Sequence, residues 1–542
     1  MPLVSSSCAL TLDFAKFTGG EGVDAGPRDA GDGGDAALPD GCTLAPETCN
    51  GADDDCDGTI DEEPTECSVT HGVVECIAGA CGLSMCDSGF ADCDGDSSTC
   101  EAETRVDHGN CGGCTTPCGP VQSCNGGTCT NILEGWAIYL TGMSAVDYRA
   151  EALAAVTDGV IGAGQIFGST NRLESIGLTP DPPSPQFWGP VYRLSSTGSI
   201  AWVKLIRNPS VGIEAIATDV TDNAYVVGVS SDAEDVIYDG SVLRNRTDGA
   251  GFIVAVDSAG SFRWGHHYGL VGRALDVAVG MDQDIWVVGQ YQGELRVDGN
   301  AFPSETHPRG NFVVRQRSNA AIVFAVGFAE DDLPAQFVAV DAAGNSYLYG
   351  HSPDDFRVRS LGPDGAVRWN AVFACPGGFT GSKGIAVSNG VVMIAGSCSG
   401  DVSIGSDLVA PPFVAGLDAG TGNPLWNRAN QSATPTERIA GLADGFLRVG
   451  TTGIDPVSFG FGDLPRPGGR DAFVEVLGIS GAHRYGYLVG SNGSDQGTSA
   501  AMSRDESTLY VGGSASATMM FGGMSHINST GGGDAFVAQL TR

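Results

Sequence analysis

From residue 158 onward the chain returns again and again to one phrase: a polar turn, a short apolar run, then glycine. It reads DGVIGAG from 158, DNAYVVG from 222, DQDIWVVG from 282, GNSYLYG from 344, NGVVMIAG from 389, DGFLRVG from 444 and ESTLYVG from 506. Short apolar runs bounded by turn residues mark buried strands. A second phrase, a strand running towards another turn, follows each of them: PVYRLSSTG, GFIVAVDSAG, NFVVRQRSN, DFRVRSLGPDG, PFVAGLDAGTG, DAFVEVLGISG and DAFVAQL. Both phrases occur seven times. A third places an aromatic residue four positions after that turn's glycine: Trp202 after Gly198, Trp264 after Gly260, Trp369 after Gly365, Trp426 after Gly422 and Tyr485 after Gly481. One unit is degenerate, with Phe324 in roughly that place.

The last unit has no such third strand, whereas GWAIYLTG, residues 135–142, is a strand with no partner ahead of the first unit. A ring resolves both. Seven four-stranded sheets arranged radially, the early strand completing the last sheet, leave only short, protected edges. The pattern therefore predicts an all-β chain with a seven-bladed β-propeller over 132–542, closed by strand 135–142.

With the strands of a blade called a to d, the b–c and d–a connections emerge on one face. The b–c connections are long and dissimilar, as in GQIFGSTNRLESIGLTPDPPSPQFWG (164–189), and several carry a short β-like piece such as VIYDG, LRVDG, VSFGFG or MMFGG. Variable loops on a rigid scaffold are where binding function is expected. Phe187 and Trp188 are either contact residues there or caps on the core beneath. Cys375 enters the fifth blade and Cys398 ends its strand b, so both should meet on this face as a disulfide.

Composition changes the picture in two ways. With 81 glycines the chain has the turn residues a β-rich fold needs. A formal net charge of −37 argues against nucleic acid as a partner, since phosphates would be repelled. Fourteen of the seventeen cysteines lie between Cys42 and Cys129, a stretch poor in large apolar side chains. That reads as a loop-dominated module (42–131) in which crosslinks replace a core, made in an oxidising compartment. Zinc is the weaker alternative: Cys111 and Cys114 have a fitting spacing, but only His71 and His108 are near. Residues 1–41 read as a Gly/Ala/Asp-rich disordered tether behind MPLVSSSCAL, where small residues run into Cys8 as they do before a lipidated cysteine. The expectation is a true start upstream and a lipid anchor on Cys8, the membrane being reached only through it.

Within the module, NGADDDCDGTIDEE sets Asp53, Asp55 and Asp57 at positions 1, 3 and 5 of a calcium loop, with Gly58 at 6, Thr59 offering its carbonyl, and Asp61 and Glu62 further on. Alternate carboxylates converge on one hard cation. Position 12 is Pro64, so a stand-alone loop is expected rather than a helix-flanked one. Asp92, Asp94 and Asp96 repeat the spacing, followed by Glu101. An all-oxygen set favours structural Ca2+ over copper.

The stretch CNGADDDCDGTIDE resembles the metal-binding motif of the MopE type, found in secreted and surface proteins of bacteria, many of them myxobacteria-like. GFADCDGDSSTCEAETRVDHGNCGGCTTPCGPVQSCNGGTC resembles the cysteine-rich extension that accompanies it, and GGRDAFVEVL and GGGDAFVAQL resemble SBBP-type bacterial propeller repeats. The resemblance implies a surface lipoprotein on the outer face of the envelope, or a secreted protein, and implies no particular activity.

Enzyme signals fail on context. GAGQIFG (162–168) and GSCSG (396–400) both fall at the end of a strand b, without the following helix that a dinucleotide site or a nucleophile elbow needs. DAGTGNPLW (418–426) looks like a quinoprotein docking motif but occurs once. His266 and His267 are neighbours on a strand and face opposite ways. The sequence thus predicts a non-enzymatic, monomeric surface protein. A calcium-stabilised stalk presents the propeller's loop face to a protein or glycan. A propeller enzyme (quinoprotein-like oxidoreductase or hydrolase) and a purely structural coat component are the alternatives.

Overall fold

The computed structural model describes residues 46–542 apart from 56–57, 63–66, 78, 96–98, 141–148, 166–187, 208–210, 231–234, 239, 244–249, 270–271, 303–306, 330–331, 353, 382–383, 430–434, 454–455, 460–461, 522–523 and 527–533. Among the described residues every regular element is a strand, and no helix is long and apolar enough to cross a membrane.

Seven antiparallel sheets repeat one meander from an inner strand a to an outer strand d. The first blade runs Arg149–Val156, Gly159–Gln165, Trp188–Leu194, Ile200–Arg207, and the sixth runs Thr436–Gly441, Gly445–Thr451, Ala472–Gly478, His483–Val489. The seventh is built from Gln496–Met502, Thr508–Ala515 and Asp534–Thr541, completed by Leu133–Leu140 from the other end of the sequence. That closing strand pairs antiparallel, Leu140 opposite Ala535 and Leu133 opposite Thr541. The all-β, seven-bladed reading of the repeats is what the chain adopts.

The glycine that ends each strand b has a packing cause. A Cβ on Gly228 would lie 2.0 Å from the Gly212 carbonyl oxygen and 2.9 Å from the Phe252 ring, and on Gly289, 2.0 Å from the Arg273 carbonyl oxygen and 2.6 Å from Phe312. Strand a bulges towards strand b there, and the phenylalanine of strand c fills the remaining space.

The aromatic of strand d joins blade to blade. Its ring covers the c–d turn of the next blade, whose glycine leaves room for it, and its indole N–H donates to a carbonyl of that turn. Trp136 donates to Ser196, Trp202 to Ser258, Trp264 to Ser318, Trp369 to Ala419 and Trp426 to Ile479, all at 2.7–3.0 Å. Gly198, Gly260, Gly422 and Gly481 lie beneath those rings at φ near +80°, and Phe324 covers Gly365 in the degenerate unit. Two b–c insertions add further seams. Val236–Tyr238 with Ser241–Leu243 extends the first blade, and Arg296–Val297 with Asn300–Ala301 extends the second.

The described residues divide into two compact units, one made of residues from 46–68 with 74–82, the other of residues from 69–73 with 83–542. The division falls inside the cysteine-rich stretch. In the first unit Cys49 bonds Cys76 and Cys67 bonds Cys81, so Cys49 is not tied to Cys56 across the acidic turn. In the second, Cys86 bonds Cys100, Cys93 bonds Cys114, Cys111 bonds Cys124 and Cys118 bonds Cys129. Cys111 and Cys114 are thus in separate disulfides, which removes them as a zinc pair. This disulfide-tied segment packs on the sixth blade: the buried His108 meets His483 edge-on at 5.2 Å, Glu103 pairs with Arg484 at 3.7 Å, and Val121 joins the cluster of Phe459, Phe473 and Leu488. Cys375 and Cys398 are bonded at the mouth of the fifth blade.

Candidate functional site

In the first acidic loop, ligand oxygens of Asp53, Asp55 and Glu47 lie within 4.8 Å of one another. Glu47 is the residue that the spacing argument misses. It is buried, and its two carboxylate oxygens accept the Asp55 and Asp61 amides at 2.8 and 3.0 Å, closing the loop on itself. Asp53 accepts the Gly58 amide at 3.1 Å, across the sharp turn that glycine permits at φ 96°. Asp61 turns the other way and accepts the amides of Asn50 and Gly51, both at 2.9 Å. Glu62 is not in the converging set of carboxylates, and Asp57 lies outside the described residues.

In the second loop Asp92, Asp94 and Glu101 converge in the same way. Glu101 accepts the Cys93 amide at 2.7 Å, and Asp92 accepts the Gly95 amide at 2.6 Å. Asp96 and Cys8 lie outside the described residues, as do Phe187 and the Trp188 side chain. Both oxygen clusters fit a hard divalent cation. Neither nearby histidine joins them: His71 stacks flat on Phe90 at 3.9 Å, and His108 contacts the Gly119 carbonyl oxygen at 3.0 Å.

A second site appears that no motif announced. Where the inner strands reach the loop face they surround a funnel of about 810 Å³. Four of the inner strands carry a bulge at this level, and the extra residue of each (Glu214, Leu275, Glu437 and Thr498) lines the funnel. A bulge re-aims one side chain out of the alternation, here from the blade interface to the axis. Gln290, Gln336, Gln496, Thr451 and Arg470 add hydrogen-bonding groups, and His351 stacked on Phe379 at 3.5 Å adds a flat aromatic step.

Arg438 forms the floor. From the sixth blade it crosses the axis to Asp276 of the third at 2.8 Å and to the Glu214 carbonyl oxygen of the second at 2.6 Å, with its guanidinium 5.5 Å from the Phe337 ring of the fourth. Burial pushes the Asp276 carboxyl up, against the pull of Arg438 and the Val338 amide. Arg438 also lines the smaller cavity below, about 210 Å³, whose wall is mostly Ala, Val and Ile. Glu214 pairs with Arg273 at the rim. Among the described lining residues of the funnel there is no serine or cysteine and one histidine. His266 and His267 lie elsewhere, the first on Asp298 and the second on the Leu243 carbonyl oxygen, and do not converge.

Fold and site together define a β-propeller of seven blades with a disulfide-tied segment docked on its sixth and a polar funnel on its loop face. No family model matches the chain, and no curated protein matches it. Among solved structures it is similar to BamB from Moraxella catarrhalis, at 15% identity and a TM-score of 0.35 over 76% of this chain and 98% of that one. It is also similar to the Pan2 WD40 domain of Neurospora crassa, at 8% identity and a TM-score of 0.40 over 75% of this chain and 95% of that one. A protein of unknown function from Bacteroides caccae aligns at 8% identity and a TM-score of 0.31 over 55% of this chain and 89% of that one. These are likenesses of strand arrangement and carry no functional information for this chain.

Proposed function

We propose that this chain is a non-enzymatic binding protein of the outer cell envelope, or a secreted one, whose loop-face funnel takes a polar ligand, a glycan or a protein segment. Seven disulfides among the described residues agree with folding in an oxidising compartment. The observation that carries the reading is the ring of bulged residues above a floor sealed by Arg438. It makes a concave, pre-formed site with amides, opposite charges and one aromatic step, the mixture that fixes a polyhydroxylated or peptide ligand. Among the described residues that line the funnel there is no serine or cysteine to act as the nucleophile of a triad. In this reading calcium is structural, held by the two acidic loops of the cysteine-rich stretch, and a lipid on Cys8 anchors the chain.

The test is a screen of immobilised glycans and envelope-protein peptides with the full chain, followed by calorimetry on any hit. Replacing Gln336 and Arg470 together by alanine should weaken binding by about tenfold or more, the weight of one good polar contact. Binding untouched by that double change, or by Thr498→Arg across the mouth, would move the function off the funnel. Turnover of the bound compound would make the protein an enzyme.

A further inference from the structure

We propose that Asp471 and Asp495 hold a divalent cation of the calcium class where the sixth and seventh blades meet on the loop face. Asp471 stands immediately before strand c of the sixth blade, and Asp495 immediately before strand a of the seventh. The two loops are stitched together by their backbones. The Asp495 amide donates to the Arg470 carbonyl oxygen and the Gly469 amide to that of Gly493, both at 2.7 Å. Asp471 itself is pinned by its amide, which donates to Thr452 Oγ1 at 2.9 Å. The carboxylates are therefore fixed in place by the main chain.

They point at the same spot. A methyl group on Gly490 would lie 2.5 Å from Asp471 Oδ1 and 2.7 Å from Asp495 Oδ2, so only glycine leaves that space open. Asp495 is satisfied by Ser491 Oγ and the Ser516 amide, both at 2.8 Å, and by the Ser491 amide. Asp471 is not: its side chain is wholly buried, and the donors beside it, the Gly468 amide and Arg466, do not reach full hydrogen-bonding geometry with either carboxylate oxygen. The nearest cation, Arg466, has its Nε 3.6 Å from Oδ2, while its Nη2 donates to the carbonyls of Gly453 and Gly469. Two carboxylates and one guanidinium leave a negative charge in a buried cradle, and an uncompensated buried charge is costly. Burial first, and the Asp495 carboxylate second, push the Asp471 carboxyl up to about 6. A hard cation with water completing its shell resolves the conflict. The irregular loops suit calcium better than magnesium, which demands a strict octahedron.

The experiment uses the full oxidised chain, stripped with EGTA and titrated with calcium chloride above neutral pH by calorimetry. The acidic loops are first silenced by Asp53→Asn, Asp55→Asn, Asp92→Asn and Asp94→Asn. That protein should still take up one calcium per chain, and adding either Asp471→Asn or Gly490→Ala should remove it, the first by charge and the second by filling the cradle. In EGTA, Asp471→Asn should melt no lower than its parent, which shows that the fold survives the change. A silenced protein that binds no calcium, or one that binds it equally with Asp471→Asn, overturns the proposal.

Discussion

At the scale of single residues, the repeat is a contract between one side chain and one glycine. Each strand-d indole needs a flat, open turn in the next blade, and four of the turns supply glycine at φ near +80°. The third blade breaks the rule, with Ala320 at φ 73° where its neighbours have glycine. A non-glycine residue in that region costs about 1–2 kcal/mol. Ala320→Gly should therefore raise the urea midpoint of the propeller at unchanged slope, by about 1 kcal/mol of stability. The opposite extreme is Glu475, wholly buried, with Arg448, Arg428 and His483 around its carboxylate. Burial alone would raise its pKa, but Arg428 and Arg448, then His483, outweigh it and hold the group far below the usual carboxylate range. Glu475→Gln leaves Arg448, which is 1% exposed, without its counter-charge. The loss should be about 3–5 kcal/mol, read by denaturant unfolding. A change below about 1 kcal/mol would mean that the arginines find other partners.

At the scale of elements, legibility follows from how strongly each strand is constrained by its neighbours. Strand b lies in the middle of its blade, buried on both faces, so it is apolar nearly throughout (Arg448, paired with Glu475, is the exception in the sixth blade) and ends in glycine; its seven copies were plain. Strand d announced itself through its aromatic. Strand a left no phrase, because its inward residues face an axis where polar and apolar side chains both serve. The funnel is built on strand a, so it could not be read. The one trace is a polar residue interrupting an apolar run, as Glu214 does between Ile213 and Ala215, and a bulge cannot be told from ordinary alternation by that alone. The acidic loops show the reverse. Asp53 and Asp55, and Asp92 and Asp94, were visible from their spacing, while Glu47 was not, because it enters from outside the loop it closes. Disulfide pairing was closed to sequence reasoning in the dense stretch, where many pairings are possible. The isolated Cys375 and Cys398 had only each other on that face.

At the scale of the whole molecule, the junction of the sixth and seventh blades should govern how stability responds to acidity. Asp471 has a folded pKa of about 6 against an ordinary value of 3.8. A raised carboxyl binds its proton more tightly in the folded chain, so its contribution is fully present below the unfolded value and is lost as the pH climbs through 6. In EGTA, thermal stability should therefore fall between about pH 4 and 7, by up to about 3 kcal/mol from this one group. Asp471→Asn should flatten that slope. A slope unchanged in the variant would place its source elsewhere, and Asp495, also raised by burial, would be the next group to examine.

The seam that closes the ring has a mechanical meaning. Leu133–Leu140 and Asp534–Thr541 lie side by side and antiparallel, with Leu133 opposite Thr541. Tension applied along the chain from its N-terminal side enters the closing strand at Leu133. Pulled along its own length, that strand is loaded in shear, and its row of hydrogen bonds yields together instead of unzipping one at a time. The disulfide-tied segment packed on the sixth blade takes up part of the load before it reaches the seam. A ring closed by its first strand is thus a clasp that bears tension.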